Sequence, residues 1–185
     1  MKVMCIIGVG CTGKSTYCKK LLDDYSKSKK PRPLLLQLGV FFRTVFGPDF
    51  FKTLDNPSVP AITENWVRSN VDMCITTAYQ LNAGKPLVEH RDVIIDGVPR
   101  NPGQVYWLLL SSAINRHHIP LEIKALYAAE ETIEIRIAAR KELNPNEAEL
   151  IDERQRKDVA MHQSVLKALG EGELKGVFTF EEINY

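Results

Sequence analysis

A glycine-rich segment near the N-terminus has the residue types that a phosphate-binding loop requires. It reads Gly8-Val9-Gly10-Cys11-Thr12-Gly13-Lys14-Ser15-Thr16 and fits the pattern G-x-x-x-x-G-K-[ST]. Glycines at these positions let the backbone curl so that its N–H groups converge on phosphate oxygens. A lysine ammonium then neutralises the terminal phosphates, and a serine hydroxyl is a suitable ligand for Mg²⁺. The segment therefore predicts binding of a nucleoside triphosphate together with Mg²⁺.

The elements on either side of this segment agree with that prediction. The apolar run Val3–Ile7 predicts a buried strand, and the residues from Lys14 to about Lys29 predict a helix. The N-terminal end of such a helix adds partial positive charge that favours an anion. The residues predicted to contact the triphosphate in this segment are Gly8, Gly10, Cys11, Thr12, Gly13, Lys14, Ser15 and Thr16.

A second polar segment follows another apolar run. Val93-Ile94-Ile95 predicts a strand, and Asp96 comes directly after it. In open α/β sheets the ligands bind beyond the carboxyl ends of the strands. Asp96 is therefore predicted to hold Mg²⁺ through a water molecule beside Ser15, and Arg100 offers a planar guanidinium to a phosphate.

Taken together, the two segments resemble the adenylate kinase family of nucleoside monophosphate kinases. The residues that carry the resemblance are the glycine-rich segment and the later Asp96-Gly97-Val98-Pro99-Arg100-Asn101 with Gln104. The family commonly has Phe or Tyr where Val98 stands. The resemblance extends from Val3 to about Lys167. It implies transfer of the γ-phosphoryl group of ATP·Mg²⁺ to a nucleoside monophosphate, with AMP as the first expectation and UMP, CMP or a deoxynucleotide left open.

The resemblance also implies an acceptor site. Arg43 and Arg100 match residues that hold the acceptor phosphate, and Gln104 matches a residue that contacts the acceptor base. The full set implied for the acceptor is Leu38, Arg43, Val59, Gly97, Arg100 and Gln104. The family usually has Thr at position 38 and Asp at position 40, where this chain has Leu38 and Val40. The preference for AMP is therefore open.

Further arginines match the region around the family's lid. The resemblance implies that Arg136 lies against the ATP base, that Arg140 reaches the transferred phosphate, and that Arg154 follows the lid, with Arg156 as a competitor for the last role. The implied catalytic set is Lys14, Arg100, Arg140 and Arg154. Surface ion pairs on helices rich in Glu and Lys are an alternative explanation of the lid arginines. The lid, about residues 141–153, is short and lacks the family's Arg followed by paired aspartates, which implies a divergent member.

The order of elements predicts an α/β fold. Strand candidates at Leu34–Leu36, Leu121–Tyr127 and Val177–Phe180 join the two described above. Between them lie helix candidates from Pro60 to about Leu81 and at 102–115, 130–143 and 147–169. We expect a three-layer P-loop fold with a five-stranded parallel sheet and helices on both faces. It would be a single P-loop kinase domain over residues 1–185, with an insertion that binds the nucleoside monophosphate at about 38–83.

Composition indicates which partners to expect. The 185 residues have a formal net charge of +1, and no apolar run approaches the roughly 20 residues of a membrane helix, so we expect no nucleic acid or membrane partner. The four cysteines form no Cys-x-x-Cys pair, which argues against zinc and favours reduced thiols in a cytoplasm. The resemblance to the family implies a monomer. The four histidines (His90, His117, His118 and His162) lack catalytic or metal-binding spacing, so structural or solvated roles are predicted.

Two other functions remain open at this stage. A small-molecule kinase on the same fold would use Asp96 as a base to deprotonate a hydroxyl. A non-catalytic, nucleotide-binding regulatory protein would keep the phosphate loop without the transfer.

Overall fold

The computed structural model describes residues 1–47, 59–143, 145, 148–170 and 179–184. Five strands and seven α-helices alternate along these residues, together with a short 3-10 helix at Leu87–Glu89. In chain order they are β1 (Val3–Ile7), α1 (Lys14–Lys27), β2 (Leu34–Gln37), α2 (Leu38–Phe46), α3 (Val59–Asn82), β3 (Val93–Asp96), α4 (Pro102–Leu109), α5 (Ser112–Arg116), β4 (Leu121–Tyr127), α6 (Glu130–Leu143), α7 (Ala148–Gly170) and β5 (Thr179–Asn184).

The five strands form one parallel sheet in the order β2-β3-β1-β4-β5. The predicted α/β class with a five-stranded parallel sheet is confirmed. Because β3 and β4 lie on opposite sides of β1, the direction in which the chain crosses the sheet reverses at β1. A crevice opens at such a reversal beyond the carboxyl ends of the strands, where open α/β sheets bind their ligands.

Helices cover both faces of the sheet, because successive strand residues point to opposite sides. Val3, Cys5 and Ile7 of β1 belong to the larger core cluster, which also contains residues of α3, α4 and α7. Met4 and Ile6 belong to a smaller cluster with Tyr17 and Cys18 of α1. Every residue of β1 is buried, as expected for the central strand of a three-layer fold.

One predicted element differs from the structure. The single helix predicted at 102–115 is wrong: α4 ends at Leu109, and α5 begins at Ser112. Between them Ser111 has extended backbone geometry, with ψ 121°, and its buried hydroxyl donates to Asp72 Oδ1 of α3 over 2.8 Å. The fifth strand, predicted at Val177–Phe180, is described from Thr179 to Asn184, and the predicted start at Val177 lies outside the described residues.

The two segments predicted to surround the substrates are described in part. The insertion at 38–83 comprises α2 and α3, with residues 48–58 outside the described part of the chain. The lid at 141–153 comprises the end of α6 and the start of α7. Residues 144, 146 and 147 of this segment lie outside the described part of the chain. None of the helices formed by the described residues is long and apolar enough to cross a membrane.

Candidate functional site

The glycine-rich segment forms a tight loop, residues 8–13, between β1 and α1, and we call it the β1–α1 loop. Gly8 has φ +150°, and a Cβ placed on it would lie 2.7 Å from both the Leu126 carbonyl oxygen and Thr12 Oγ1. Gly13, with φ +94°, precedes the first residue of α1. Side chains other than glycine's rarely adopt such φ angles. Two of the motif's three glycines are therefore required by backbone geometry.

Lys14 turns its side chain back over the loop that precedes it. Its Nζ donates hydrogen bonds of 2.7 Å to the carbonyl oxygens of Gly8 and Val9. Burial lowers the pKa of Lys14, the nearby Arg100 guanidinium lowers it further, and the carboxylates of Asp96 and Asp158 act in the opposite direction. Two cations placed close together, of which Lys14 is partly buried and Arg100 is exposed, favour an anion between them.

Asp96 lies at the carboxyl end of β3, buried and 8% exposed. Its Oδ2 accepts hydrogen bonds from Ser15 Oγ over 3.1 Å and from Gln37 Nε2 over 3.2 Å. The sheet register explains this arrangement, because Asp96 is paired with Gln37 of β2 and with Ile6 of β1. Ile6 faces α1, the helix that carries Ser15. The three polar side chains therefore meet on one face of the sheet.

The oxygen atoms of Ser15 and Asp96 fit a magnesium ion, which prefers hard oxygen ligands. Elsewhere in the described residues, no group of three or more His, Cys, Asp or Glu side chains is arranged to hold a metal ion. Magnesium sites that handle phosphates commonly take one or two protein oxygens and complete their coordination with water and phosphate. The Ser15–Asp96 pair could supply the two protein oxygens of such a site.

A small cavity lies between the β1–α1 loop and the residues that follow β3. Gly8 lines one side, Gly97 and Arg100 line another, and Asp158 and His162 of α7 close it. Gly97 has φ +97°, and a Cβ placed there would lie 3.9 Å from Arg100 Nε. The cavity volume of about 20 Å³ has room for about one water molecule.

Helices α6 and α7 both contact the β1–α1 loop. Arg136 Nη1 donates to the Cys11 carbonyl oxygen over 2.9 Å, and Gln155 Nε2 donates to the Gly10 carbonyl oxygen over 3.3 Å. A Cβ on Gly10 would lie 2.6 Å from Gln155 Oε1 and 3.2 Å from Asp158 Oδ2. At the third glycine of the motif, the backbone angles do not require glycine, and a side chain would crowd the ends of the Gln155 and Asp158 side chains of α7.

Gln104 lies at the start of α4 in a set of hydrogen bonds that we call the Gln104 network, formed by Gln104, Glu64, Trp107 and the backbone of Arg100. Its Oε1 accepts from the Arg100 backbone N–H over 2.7 Å, and its Nε2 donates to Glu64 Oε2 over 2.9 Å. Trp107 Nε1 donates to the other oxygen of Glu64 over 3.0 Å. The buried amide is therefore held in one orientation.

Asn101 explains why α4 begins where it does. Its Oδ1 accepts from the Gln104 backbone N–H over 2.9 Å, and Pro102 occupies the first helical position. Asparagine caps followed by proline are a favoured start for a helix. Local sequence thereby sets the helix that carries Gln104.

The other described side chains predicted for the site do not line the cavity. Thr12 is buried and donates to the Val9 carbonyl oxygen over 3.0 Å, and Thr16 is exposed in the first turn of α1. Leu38 is 4% exposed in the larger core cluster, and Val59 is the first residue of α3. Arg43, Arg140 and Arg154 lie on α2, α6 and α7 respectively and do not line the cavity.

Sequence reasoning missed several residues that contact the site. Gln37 had a usable signal, since it is a polar residue directly after the apolar run of β2, as Asp96 is after that of β3. Glu64, Asp158 and His162 lie on long helices among other polar residues, and no local pattern sets them apart. Only the packing of α3 and α7 brings them to the carboxyl edge of the sheet.

Comparison with known proteins adds no family assignment to this geometry. The chain matches none of the protein-family models, and no curated protein matches it.

Proposed function

We propose that this protein is a nucleoside monophosphate kinase, which transfers the γ-phosphoryl group of ATP to a nucleoside monophosphate. The observation that carries the proposal is the convergence of Lys14, the Ser15–Asp96 pair and Arg100 beyond the carboxyl ends of β1 and β3. A phosphoryl transfer needs cations, a metal-binding oxygen pair and a backbone that curls around an anion, all at one place. The resemblance to the adenylate kinase family supports the same reaction.

The β1–α1 loop would bind the triphosphate. In this proposal its backbone N–H groups face the phosphate oxygens, and Lys14 exchanges its bonds to the Gly8 and Val9 carbonyl oxygens for bonds to phosphate. A phosphate between Lys14 and Arg100 would relieve the repulsion between these two cations. Ser15 and Asp96 would hold Mg²⁺, which neutralises charge on the phosphates when it is bound.

Arg100 and Arg43 would hold the acceptor phosphate, and Gln104 would contact the acceptor base. An oxygen of a monophosphate is already nucleophilic, so the reaction needs alignment and charge neutralisation rather than a general base. Arg136 would lie against the ATP base, with Arg140 and Arg154 near the transferred group. Closure of the segment at 141–153 would exclude the water that competes for the phosphoryl group.

An assay of ADP formation over a panel of acceptors tests the proposal. The panel contains ATP·Mg²⁺ with AMP, UMP, CMP and the deoxynucleotides, and ATP·Mg²⁺ alone measures the background. Turnover that depends on at least one nucleoside monophosphate is the expected result. Tight ATP binding without turnover on any acceptor would instead favour a regulatory binding protein, and turnover only with a hydroxyl compound would favour a small-molecule kinase.

A further inference from the structure

His162 is buried in α7 without a partner for one of its ring nitrogens. The residue is 9% exposed, and its Nε2 has no hydrogen-bond partner within the described part of the chain. A buried polar atom without a partner destabilises a folded protein, so most such atoms in native structures are paired. An exception of this kind beside a candidate site calls for a ligand or a water at Nε2.

The surroundings of His162 contain charges from three elements. Asp158 lies one turn earlier on α7, Lys14 comes from α1, and Arg100 comes from the segment after β3. The Tyr127 ring, at the end of β4, makes an edge contact with the imidazole at 6.0 Å between ring centroids. Burial lowers the pKa of His162 and Lys14 lowers it further, while Asp158 acts in the opposite direction. The imidazole is therefore neutral at about pH 7 in the free protein.

The same cavity brings His162 close to the predicted phosphate loop. His162 lines it together with Gly8, Gly97 and Arg100, and its volume of about 20 Å³ leaves room for about one water. A water alone would satisfy Nε2 and leave the ring neutral. A phosphate oxygen in the place of this water would do more, because its negative charge would offset Lys14 and Arg100 and would favour the protonated ring.

We propose that His162 is a further phosphate-binding residue of the nucleotide site. When a phosphate lies between Gly8 and Arg100, Nε2 donates a hydrogen bond to a phosphate oxygen, and the ring takes up one proton from solution. This inference rests on the proposed function. No covalent bond forms or breaks at His162, and the proton returns to solution when the phosphate leaves.

The direction in which affinity changes with pH follows from the pKa of His162 in the free and in the phosphate-bound protein. The pKa of His162 is low in the free protein and rises when phosphate binds, so the complex binds more protons than the free chain does at any pH between the two values. Affinity for the phosphate ligand therefore falls as the pH rises through the pKa of the bound state. A neutral glutamine at this position keeps a hydrogen-bond donor but removes the proton uptake.

Calorimetric titration of the full chain tests this coupling. ATP·Mg²⁺ is titrated at about pH 7 in buffers with different ionisation enthalpies, and the dependence of the heat on the buffer measures the protons taken up. We expect uptake to fall by up to one proton in His162→Gln, and the affinity to fall roughly tenfold in His162→Gln and further in His162→Leu. His90→Gln, a substitution before β3 at the opposite edge of the sheet, is the matched control and should behave as the wild type.

Two further measurements identify which phosphate binds and provide a test that does not require a folded variant. Titration with AMP alone shows whether the acceptor phosphate, rather than the triphosphate, produces the uptake. Nuclear magnetic resonance of the His162 ring in the wild type measures its pKa with and without saturating ligand, so the test does not depend on a variant that folds. A rise in that pKa on saturation is expected.

The outcomes separate the two proposals. The inference is overturned if the wild type binds nucleotide, the His162 variants keep its affinity and proton uptake, and the ring pKa does not change on saturation. In that case a structural water satisfies Nε2 of His162. If the wild type binds neither ATP·Mg²⁺ nor AMP, the proposed function itself fails. A proton uptake that disappears in both His162 variants but not in His90→Gln supports the inference.

Discussion

The β1–α1 loop and the Gln104 network lie at the same edge of the sheet but are built in different ways. In the loop, the contacts of Lys14 and Thr12 reach back only to Gly8 and Val9, so their geometry is set within a few residues. In the network, Gln104 and Trp107 of α4 both donate to Glu64 of α3, which lies about forty residues earlier in the chain. The Lys14 and Thr12 contacts of the loop therefore depend on local conformation, whereas the Gln104 network, which we propose serves the acceptor, depends on how two helices pack.

This difference has a consequence for substitutions. A change in the loop removes a charge or strains the backbone where the phosphates would bind, and its effect should be large and direct. A change in the network loosens the Gln104 side chain. Its effect should be smaller and confined to binding of the acceptor. Five substitutions separate these two expectations.

Lys14→Ala should have the largest effect. We propose that this ammonium faces the transferred group, so its removal is expected to lower turnover at least about 100-fold, in line with losses of other contacts to transition-state charge. The measurement is kcat in the ADP-formation assay. Lys20→Ala, which changes an exposed lysine on the same helix, should retain the wild-type rate. Wild-type turnover in Lys14→Ala would contradict the assignment of the β1–α1 loop to the active site.

Gly8→Ala and Gly10→Ala form a matched pair that separates backbone strain from side-chain crowding. Alanine at Gly8 meets a backbone oxygen of Leu126 at a φ of +150°, so we expect a loss of roughly 1–3 kcal/mol in the free energy of unfolding. Alanine at Gly10 meets mainly the end of the flexible Gln155 side chain, so its loss should stay below about 1 kcal/mol. Urea denaturation measures both, and equal losses would contradict this account of the loop.

Arg100→Ala tests the boundary between the two regions. If the Arg100 guanidinium binds the acceptor phosphate as proposed, its loss should raise the KM of the acceptor roughly tenfold or more and change the KM of ATP much less. Steady-state kinetics with each substrate varied in turn gives both constants. The control is Arg116→Ala, at the end of α5, which should alter neither. An unchanged acceptor KM in Arg100→Ala would exclude Arg100 from the acceptor site.

Glu64→Gln should have the smallest effect and tests whether the Gln104 network positions the acceptor. Glutamine has one oxygen where Glu64 uses two, so one of the donors from Gln104 and Trp107 would face an N–H group. We expect a loss of about 1 kcal/mol in stability and an acceptor KM that rises a few fold while kcat with saturating acceptor is kept. Glu89→Gln, an exposed site with the same change of charge, is the control. A fall in kcat without a change in KM would contradict a positioning role for Glu64.

Much of the fold and part of the site could be predicted from local sequence. The apolar runs of β1 and β4 give strands with the predicted bounds, and the cap formed by Asn101 and Pro102 begins α4 at the predicted residue. The break at Ser111, which divides the helix predicted at 102–115 into α4 and α5, could not be predicted in this way. Its neighbours continue a helical pattern, and the reason for the break includes a hydrogen bond to Asp72 on another helix.

The sequence alone determined the alternation of strands and helices, and it determined which residues form the tight loop before α1. Hydrophobic periodicity and glycine geometry act over a few neighbouring residues, so a linear pattern contains them in full. Tertiary structure decided that Gln37 meets Asp96, that Glu64 holds Gln104, and that His162 lies beside Gly8 and Arg100. These contacts depend on strand order and helix packing, which bring together residues whose separation along the chain leaves no local signal.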